Sequence, residues 1–292
     1  MATRSAVLAI INPLSGTTSV EQKKLLQDAF VRRANALDFS PDVVMTTHPG
    51  HATELAARAV EQGVSRVLAI GGDGTINETA QALRRSATAL GIVPIGSGNG
   101  LARHLGISLN PLKAIECALS GRPVVIDSGE ISGHPFFCTA GLGFEAFVAH
   151  AFAREPVRGL PTYIRAAFRA FWAYEPPVFT LDGERRQLFS LTFANAGQFG
   201  NNAWMAPQAN IADGKLEQCE IRPFPAQAAG MITWRLFNKT LNQSPYWQGH
   251  AIMKATVQTN EPLLIHADGE PLTLSSGRAD VRILPGSLLV LL

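Results

Sequence analysis

The chain has 292 residues, 46% of them hydrophobic, and a formal net charge of +2 at neutral pH. That length is more than one core usually serves, so two domains are expected. So small a charge leaves no basic footprint and excludes nucleic acid from the expected partners. Cys117, Cys138 and Cys219 show no CxxC or metal-ligand spacing, which fits reduced thiols in a cytoplasmic protein. No stretch approaches the ~18 apolar residues of a membrane span.

Residues 6–11 are apolar and stop at Asn12-Pro13 without a small-residue cleavage site, so they read as a first strand rather than a leader. Further buried strands are predicted at 43–46, 67–70 and 91–95. Helices are predicted between them at 20–37, 52–62 and 76–84, where apolar residues such as Leu55, Ala59 and Val60 recur at helical spacing. Strand–helix alternation with short loops implies a parallel, doubly wound, Rossmann-like α/β domain over residues 1–125. Ligands then belong at the carboxyl ends of the strands. Three of those ends carry polar, glycine-rich turns: Asn12-Pro-Leu-Ser-Gly, residues 71–75, and Gly96-Ser-Gly-Asn-Gly.

The turn at 71–75 reads Gly-Gly-Asp-Gly-Thr and joins a strand to a helix. Gly71, Gly72 and Gly74 remove the Cβ atoms that would keep a polyphosphate away from the backbone. The freed N–H groups at a helix start favour anionic oxygens. Asp73 places a carboxylate in that anion site, where it is repulsive unless a metal or a reacting hydroxyl stands between. Asn12, Thr46, Gly72, Gly74, Thr75, Gly96, Ser97 and Asn99 are the candidate nucleotide contacts, supplying backbone or neutral side-chain groups to phosphate and ribose oxygens. The chain has no G-x-x-x-x-G-K-[ST], and Leu101 replaces the last glycine of G-x-G-x-x-G, so backbone amides and metal must carry most of the phosphate charge.

After about residue 123 the rhythm changes to short runs rich in β-formers, at 124–126, 136–139, 178–181, 188–194, 216–221, 252–258, 263–267, 281–284 and 288–291, and residues 126–292 form the expected second domain. Helices interrupt them near 144–153, 160–173 and 226–236. Many short strands with turns predict a mostly antiparallel β-sandwich as the second domain.

Taken together, the motifs resemble those of the diacylglycerol kinase catalytic-domain family, which includes bacterial lipid kinases and sphingosine kinases. The matching pieces are NPLSG at 12–16, GHA at 50–52, GGDGTINE at 71–78, PIGSGNGLARHLGI at 94–107, GLGFEA at 141–146, APQANIADGKLE at 206–217 and HADGEP at 266–271. GGDGT alone is shared with NAD kinases and phosphofructokinases; the ordered set is far more specific. The resemblance implies an ATP-binding domain, a lipid-substrate domain and Mg²⁺-dependent transfer of the γ-phosphate to a lipid alcohol. Candidate acceptors are diacylglycerol, a sphingoid base or a related glycerolipid.

By that resemblance Asp73, Asp268 and Glu270 are the catalytic acids, with Glu270 as base and Asp73 orienting metal and hydroxyl. Read alone, 268–270 favours a hairpin turn, because Asp-Gly is a strong turn signal, and the order of the family motifs reverses that preference. Asn210, Asp213 and Lys215 resemble a second, structural site for Mg²⁺ or Ca²⁺, formed in bacterial members by two carbonyls and a carboxylate, with an Asp-Gly turn as the alternative. His51 and Gly100 stand where some bacterial diacylglycerol kinases have Asp, which removes two acids from the network around Asp73. Residues 147–154 also lack the aspartates that would meet the amine of a sphingoid base.

The segment 160–174 gathers Ile164, Phe168, Phe171 and Trp172 on one stripe beside Arg158, Arg165 and Arg169, which suits transient contact with an anionic membrane surface. The same letters suit a core helix with arginines reaching outward. A cytoplasmic protein, peripheral at the inner face of the membrane, is therefore expected, and homodimer formation stays open. The competing readings are an NAD or sugar-phosphate kinase, and a non-catalytic lipid- or nucleotide-binding regulator.

Overall fold

A computed structural model of the chain describes residues 4–16, 19–155 and 160–292. It divides into two compact units, one formed by Met1–Ile126 with Gly286–Leu292, the other by Asp127–Pro285.

The first unit alternates strand and helix in the order β1 (Ser5–Ile11), α1 (Val20–Ala36), β2 (Phe39–Met45), α2 (His51–Glu61), β3 (Arg66–Gly71), α3 (Asp73–Leu83), β4 (Ala89–Pro94), α4 (Gly100–His104) and α5 (Pro111–Ser120). Its strands lie in the order β2-β1-β3-β4 and are all parallel. Val7, Ala9, Ile10, Ile11, Val67, Leu68, Ile70, Leu90, Ile92 and Val93 are buried, as expected of a sheet covered on both faces. Local chemistry fixes the helix starts. Ser19 and Gln22 cap α1 reciprocally, and Asn110 accepts the N–H groups of Leu112 and Lys113 ahead of Pro111 at the start of α5. The chain winds from β1 outward to β2 and then back past β1 to β3, so the switch in winding falls between β1 and β3.

Strand β5 (Pro123–Ile131) begins in the first unit and ends in the second. The second unit continues with β6 (His134–Phe136), β7 (Thr139–Gly143), α6 (Phe144–Ala153), α7 (Leu160–Ala173), β8 (Val178–Leu181), β9 (Glu184–Gln187), β10 (Ser190–Ala194), β11 (Leu216–Ile221), α8 (Ala229–Phe237), β12 (Trp247–Ile252), β13 (Lys254–Gln258), β14 (Leu263–Ala267), β15 (Glu270–Leu274) and β16 (Arg278–Leu291). One sheet has the order β12-β11-β10-β7-β14-β15, antiparallel throughout. Facing it, β16, β13, β8 and β9 pair antiparallel. Leu142, Leu191, Phe193 and Ile265 from the first layer meet Phe179, Leu181, Val257 and Val281 from the second in one buried core. The expected α/β domain and antiparallel second domain are both present.

The differences are local. The strands expected at 281–284 and 288–291 are one strand, β16, that runs through Pro285-Gly286; the turn signal there marks a kink, with Gly286 at φ 58°. Its burial alternates as far as Ile283 and is nearly continuous from Ser287 to Leu291, which matches one-sided and then two-sided covering. The run 252–258 breaks at Met253 into β12 and β13, which belong to different sheets. Strand β9 gives no signal in the sequence because all four of its residues are exposed and carry no apolar pattern. The sequence division after residue 125 leaves the C-terminus with the second half, whereas Gly286–Leu292 lie in the first unit, where Val290 pairs with Leu90 of β4.

Candidate active site

In the first unit the three glycine-rich ends meet at one sheet edge. Asn12, just past β1, sends its Nδ2–H to Thr75 Oγ1 at 3.0 Å, and its Oδ1 takes the Leu14 N–H at 2.9 Å. The loops after β3 and β4 touch through glycine: a methyl on Gly96 would stand 2.7 Å from the Cα of Gly72 and 3.0 Å from Asn99 Oδ1. Asn99, at φ 53°, closes its own loop, taking the Gly96 N–H at 3.1 Å and donating to the Gly96 carbonyl at 2.7 Å. Thr46 is buried at the end of β2, its N–H on the Ile11 carbonyl at 2.9 Å. Ser97 is exposed on the same loop as Asn99. Gly74 has nothing within 4 Å of where a Cβ would stand, so that flank is open to a ligand.

Asp73 is held from across this edge. Its Oδ2 accepts the Asn99 N–H at 2.8 Å and its Oδ1 the Gly100 N–H at 2.7 Å. Burial pushes its carboxyl above the ordinary range, against the opposing pull of those two N–H groups and of the Arg103 guanidinium. With its own N–H the carboxylate meets three backbone donors, which leaves acceptor capacity on a group with about four lone-pair sites. A half-buried carboxylate with spare acceptor capacity beside neutral donors fits the divalent cation that accompanies a triphosphate.

Sequence reasoning missed three residues here. Glu78, inside GGDGTINE, accepts the N–H groups of Gly50 at 3.0 Å and Ala52 at 3.2 Å, tying the GHA segment at the start of α2 to α3. Arg103 donates to the Gly98 carbonyl at 3.0 Å and so braces the Gly96–Asn99 turn from α4. Buried Lys23 of α1 donates to the Pro13 carbonyl, and burial lowers its pKa. Only the motif letters around Glu78 and Arg103 could have flagged them; Lys23 carries no signal.

In the second unit, Asp268 and Glu270 sit at the β14–β15 hairpin. Asp268 at φ 49° and Gly269 at φ 85° are the two central residues, with Ala267 opposite Glu270, the geometry of a tight hairpin turn. The hairpin alternative for 268–270 is therefore what the chain forms. Asp268 ties that turn to the neighbouring backbone. Its Oδ2 takes the Phe137 N–H at 2.8 Å, and its Oδ1 takes those of Cys138 at 2.8 Å and Thr139 at 3.0 Å. Glu270 opens β15 and is exposed.

Behind the turn lies a polar cluster that sequence reasoning also missed. Glu145 of α6 accepts hydroxyl hydrogens from Ser190 and Thr192 of β10 and shares a 3.1 Å hydrogen bond with His266 Nε2. The motif GLGFEA points at Glu145, but its partners are distant in sequence.

The loop at 210–215 is closed by protein donors. Asn210 Oδ1 takes the Ala212 N–H at 3.1 Å, Asp213 Oδ1 takes the Lys215 N–H at 3.1 Å, and Asp127 takes the Gly214 N–H at 2.7 Å. Asp213 is its one carboxylate, and among the described residues no group of three His, Cys, Asp or Glu side chains is placed to hold a metal.

Helix α7 buries Thr162, Ala166 and Ala170 and exposes Ile164, Phe168 and Trp172, with Arg165 and Arg169 also exposed. Arg158, read with this helix from the sequence, lies outside the described residues. No helix among the described residues is long and apolar enough to cross a membrane. An apolar pocket of about 220 Å³ lies in the same unit, with Leu142, Phe147, Tyr174, Phe179 and Leu263 in its wall.

Comparison with known proteins agrees with these features. Residues 6–131 match the diacylglycerol kinase catalytic domain, and 139–292 match the YegS C-terminal NAD kinase beta sandwich-like domain. A Chromohalobacter salexigens protein named "Probable lipid kinase YegS-like" is 31% identical over 84% of this chain and 82% of its own length. A Pseudomonas aeruginosa protein of the same name is 30% identical over 85% and 83%. Among solved structures, a diacylglycerol kinase from Bacillus anthracis has the same fold, with TM-score 0.74 and 19% identity over 100% of this chain and 98% of that one. The chain belongs to the diacylglycerol kinase catalytic-domain family, among its YegS-like lipid kinases.

Proposed function

We propose that this lipid kinase uses ATP and phosphorylates a hydroxyl of a membrane lipid alcohol such as diacylglycerol, a sphingoid base or a related glycerolipid. The observation that carries the reading is Asp73, held by the Asn99 and Gly100 N–H groups among glycine turns that leave backbone open beside it. Phosphoryl transfer asks a protein chiefly to position its reactants and offset charge, and this edge offers little else.

In this reading the amides around Gly72, Gly74 and Thr75 meet the phosphates, while Asn12, Thr46, Gly96, Ser97 and Asn99 shape the rest of the nucleotide contact. Mg²⁺, when bound with the nucleotide, offsets charge on the phosphate oxygens. Asp73 orients that cation and the acceptor hydroxyl. The acceptor oxygen forms a bond to the γ-phosphorus, the bond from phosphorus to the bridging oxygen breaks, and ADP leaves. Glu270 takes the hydroxyl proton, and a carboxylate of ordinary basicity suffices because that proton becomes acidic only in the transition state. Asp268 acts through the turn, by fixing where Glu270 begins β15.

The exposed Ile164, Phe168 and Trp172 beside Arg165 and Arg169 support a lipid acceptor reached by transient contact with an anionic bilayer. The protein thus works as a peripheral enzyme. Incubation with γ-labelled ATP, Mg²⁺ and a total lipid extract tests the reading: label is expected in a lipid. Label in NAD or a sugar phosphate alone, or ATP binding with no transfer, would reverse it.

A further inference from the structure

Besides the Asp268 ties and the 3.1 Å hydrogen bond between His150 Nε2 and the Leu272 carbonyl, the hairpin that carries Glu270 is joined to the interior of its own unit through the His266 imidazole. His266, on β14, is buried to 2% exposure and lies opposite Gly141 of β7 and Pro271 of β15. The Gly269 N–H points at its Nδ1 from 3.4 Å, and its Nε2 lies 3.1 Å from Glu145 Oε2. An N–H donor at Nδ1 requires that nitrogen to be the acceptor, so the ring proton sits on Nε2 and is donated to Glu145. Among the described residues Glu145 meets the Ser190 and Thr192 hydroxyls on Oε1 and the imidazole on Oε2, a set from which a carboxylate can accept throughout. Phe199 packs against the ring edge-on, with centroids 6.2 Å apart, and leaves the imidazole little freedom.

The geometry points to His266 as a positioning residue for Glu270: neutral, protonated on Nε2, it binds the Asp268–Gly269 turn to Glu145 and thereby sets where the Glu270 carboxylate is presented. Asp268 holds one side of the turn to the backbone at 137–139, and His266 holds the other. A two-residue turn with both φ angles positive has few alternatives once both sides are tied. A base displaced by about 1 Å loses up to about 10²-fold in rate. The inference rests on the proposed role of Glu270, but the tie itself is measurable without any activity.

Two measurements separate the device from the reading. In the ¹⁵N-labelled full-length protein, His266 should show a protonated Nε2 and an unprotonated Nδ1, and the Gly269 amide should be protected from hydrogen exchange. In His266→Phe that protection should fall at least about tenfold, while the amides of Gly72 and Gly74 exchange as before. In turnover, His266→Phe should lower kcat by about 10- to 100-fold with the KM for ATP within about twofold. His266→Asn, whose side-chain oxygen can take the Gly269 N–H, should recover part of kcat, and His266→Gln, which reaches Glu145 instead, should recover less. An Nδ1-protonated ring, or a folded His266→Phe with wild-type kcat, overturns the inference. If His266→Phe does not fold, the wild-type tautomer and the order of the Asn and Gln variants decide. Should the wild type transfer no phosphate to lipid while the ring and amide signatures hold, the kinase reading has failed and the structural tie stands.

Discussion

Gly96 faces Gly72 so closely that a methyl group on Gly96 would stand 2.7 Å from the Gly72 Cα, backbone against backbone. Two loops that follow different strands can share an anion site only if neither carries a side chain at this crossing. Gly96→Ala should therefore cost about 1–3 kcal/mol of stability by overpacking and weaken ATP binding as the loops part. Gly74 has open space where its Cβ would go, so Gly74→Ala should leave the melting temperature unchanged. If phosphate lies against it, the same variant should bind ATP at least about tenfold more weakly, roughly 1.4 kcal/mol by calorimetry. Unchanged affinity in Gly74→Ala would move the phosphates elsewhere.

The two acids of the Asp-Gly-Glu turn should separate cleanly. Asp268→Asn faces an amide N–H₂ toward one of three backbone donors, and should lose about 1–3 kcal/mol in denaturant unfolding. Glu270→Gln should keep wild-type stability, because Glu270 is exposed, and lose kcat instead. Equal stability losses in both variants would contradict this division.

Burial raises the Asp73 pKa in the folded chain above its ordinary 3.8. The folded state then holds this proton more tightly than the unfolded state does. The associated stability is present below the ordinary pKa and is lost as pH rises through the folded value. In nucleotide-free protein, the difference in melting temperature between Asp73→Asn and wild type should accordingly move in favour of the variant as pH rises from 3.8 toward neutrality. A difference that moves the other way would mean that the N–H groups of Asn99 and Gly100 outweigh burial.

Removing divalent cations should affect chemistry and leave the fold alone. Asn210, Asp127 and Asp213 already accept the N–H groups of the 210–215 turn, so EDTA should shift the melting temperature by less than about 2 °C. Phosphate transfer should cease in the same buffer. A large melting shift would place a structural ion at Asp213.

Phe168 and Trp172 are 68% and 69% exposed on α7. Replacing both with Ala should weaken binding to anionic phospholipid vesicles by at least about tenfold and leave turnover on detergent-solubilised lipid unchanged. Unaltered vesicle binding would assign membrane contact to another surface.

What the sequence disclosed was what is local. Gly71-Gly72-Asp73-Gly74-Thr75 declares itself because strand, turn and helix follow within a few residues, and three such turns had to share an edge once the sheet was parallel. The anchoring role of Asp268 was hidden because its partners at 137–139 lie about 130 residues away. Glu145 looked like one letter of a motif; its meaning comes from Ser190, Thr192 and His266, which only strand register brings together. β16 reads as two strands because Pro285-Gly286 has the composition of a turn, although a strand can kink there without ending.

The central claim is that Asp73 serves γ-phosphate transfer to a lipid. The most direct measurement is incorporation of label from γ-labelled ATP into a solubilised total lipid extract by wild type and by Asp73→Asn, with folding of both checked in parallel. A labelled lipid is expected from the wild type, and a ~10²–10⁴-fold lower rate from the folded variant. Near-equal rates from the two proteins, or no labelled lipid from the wild type, would contradict it.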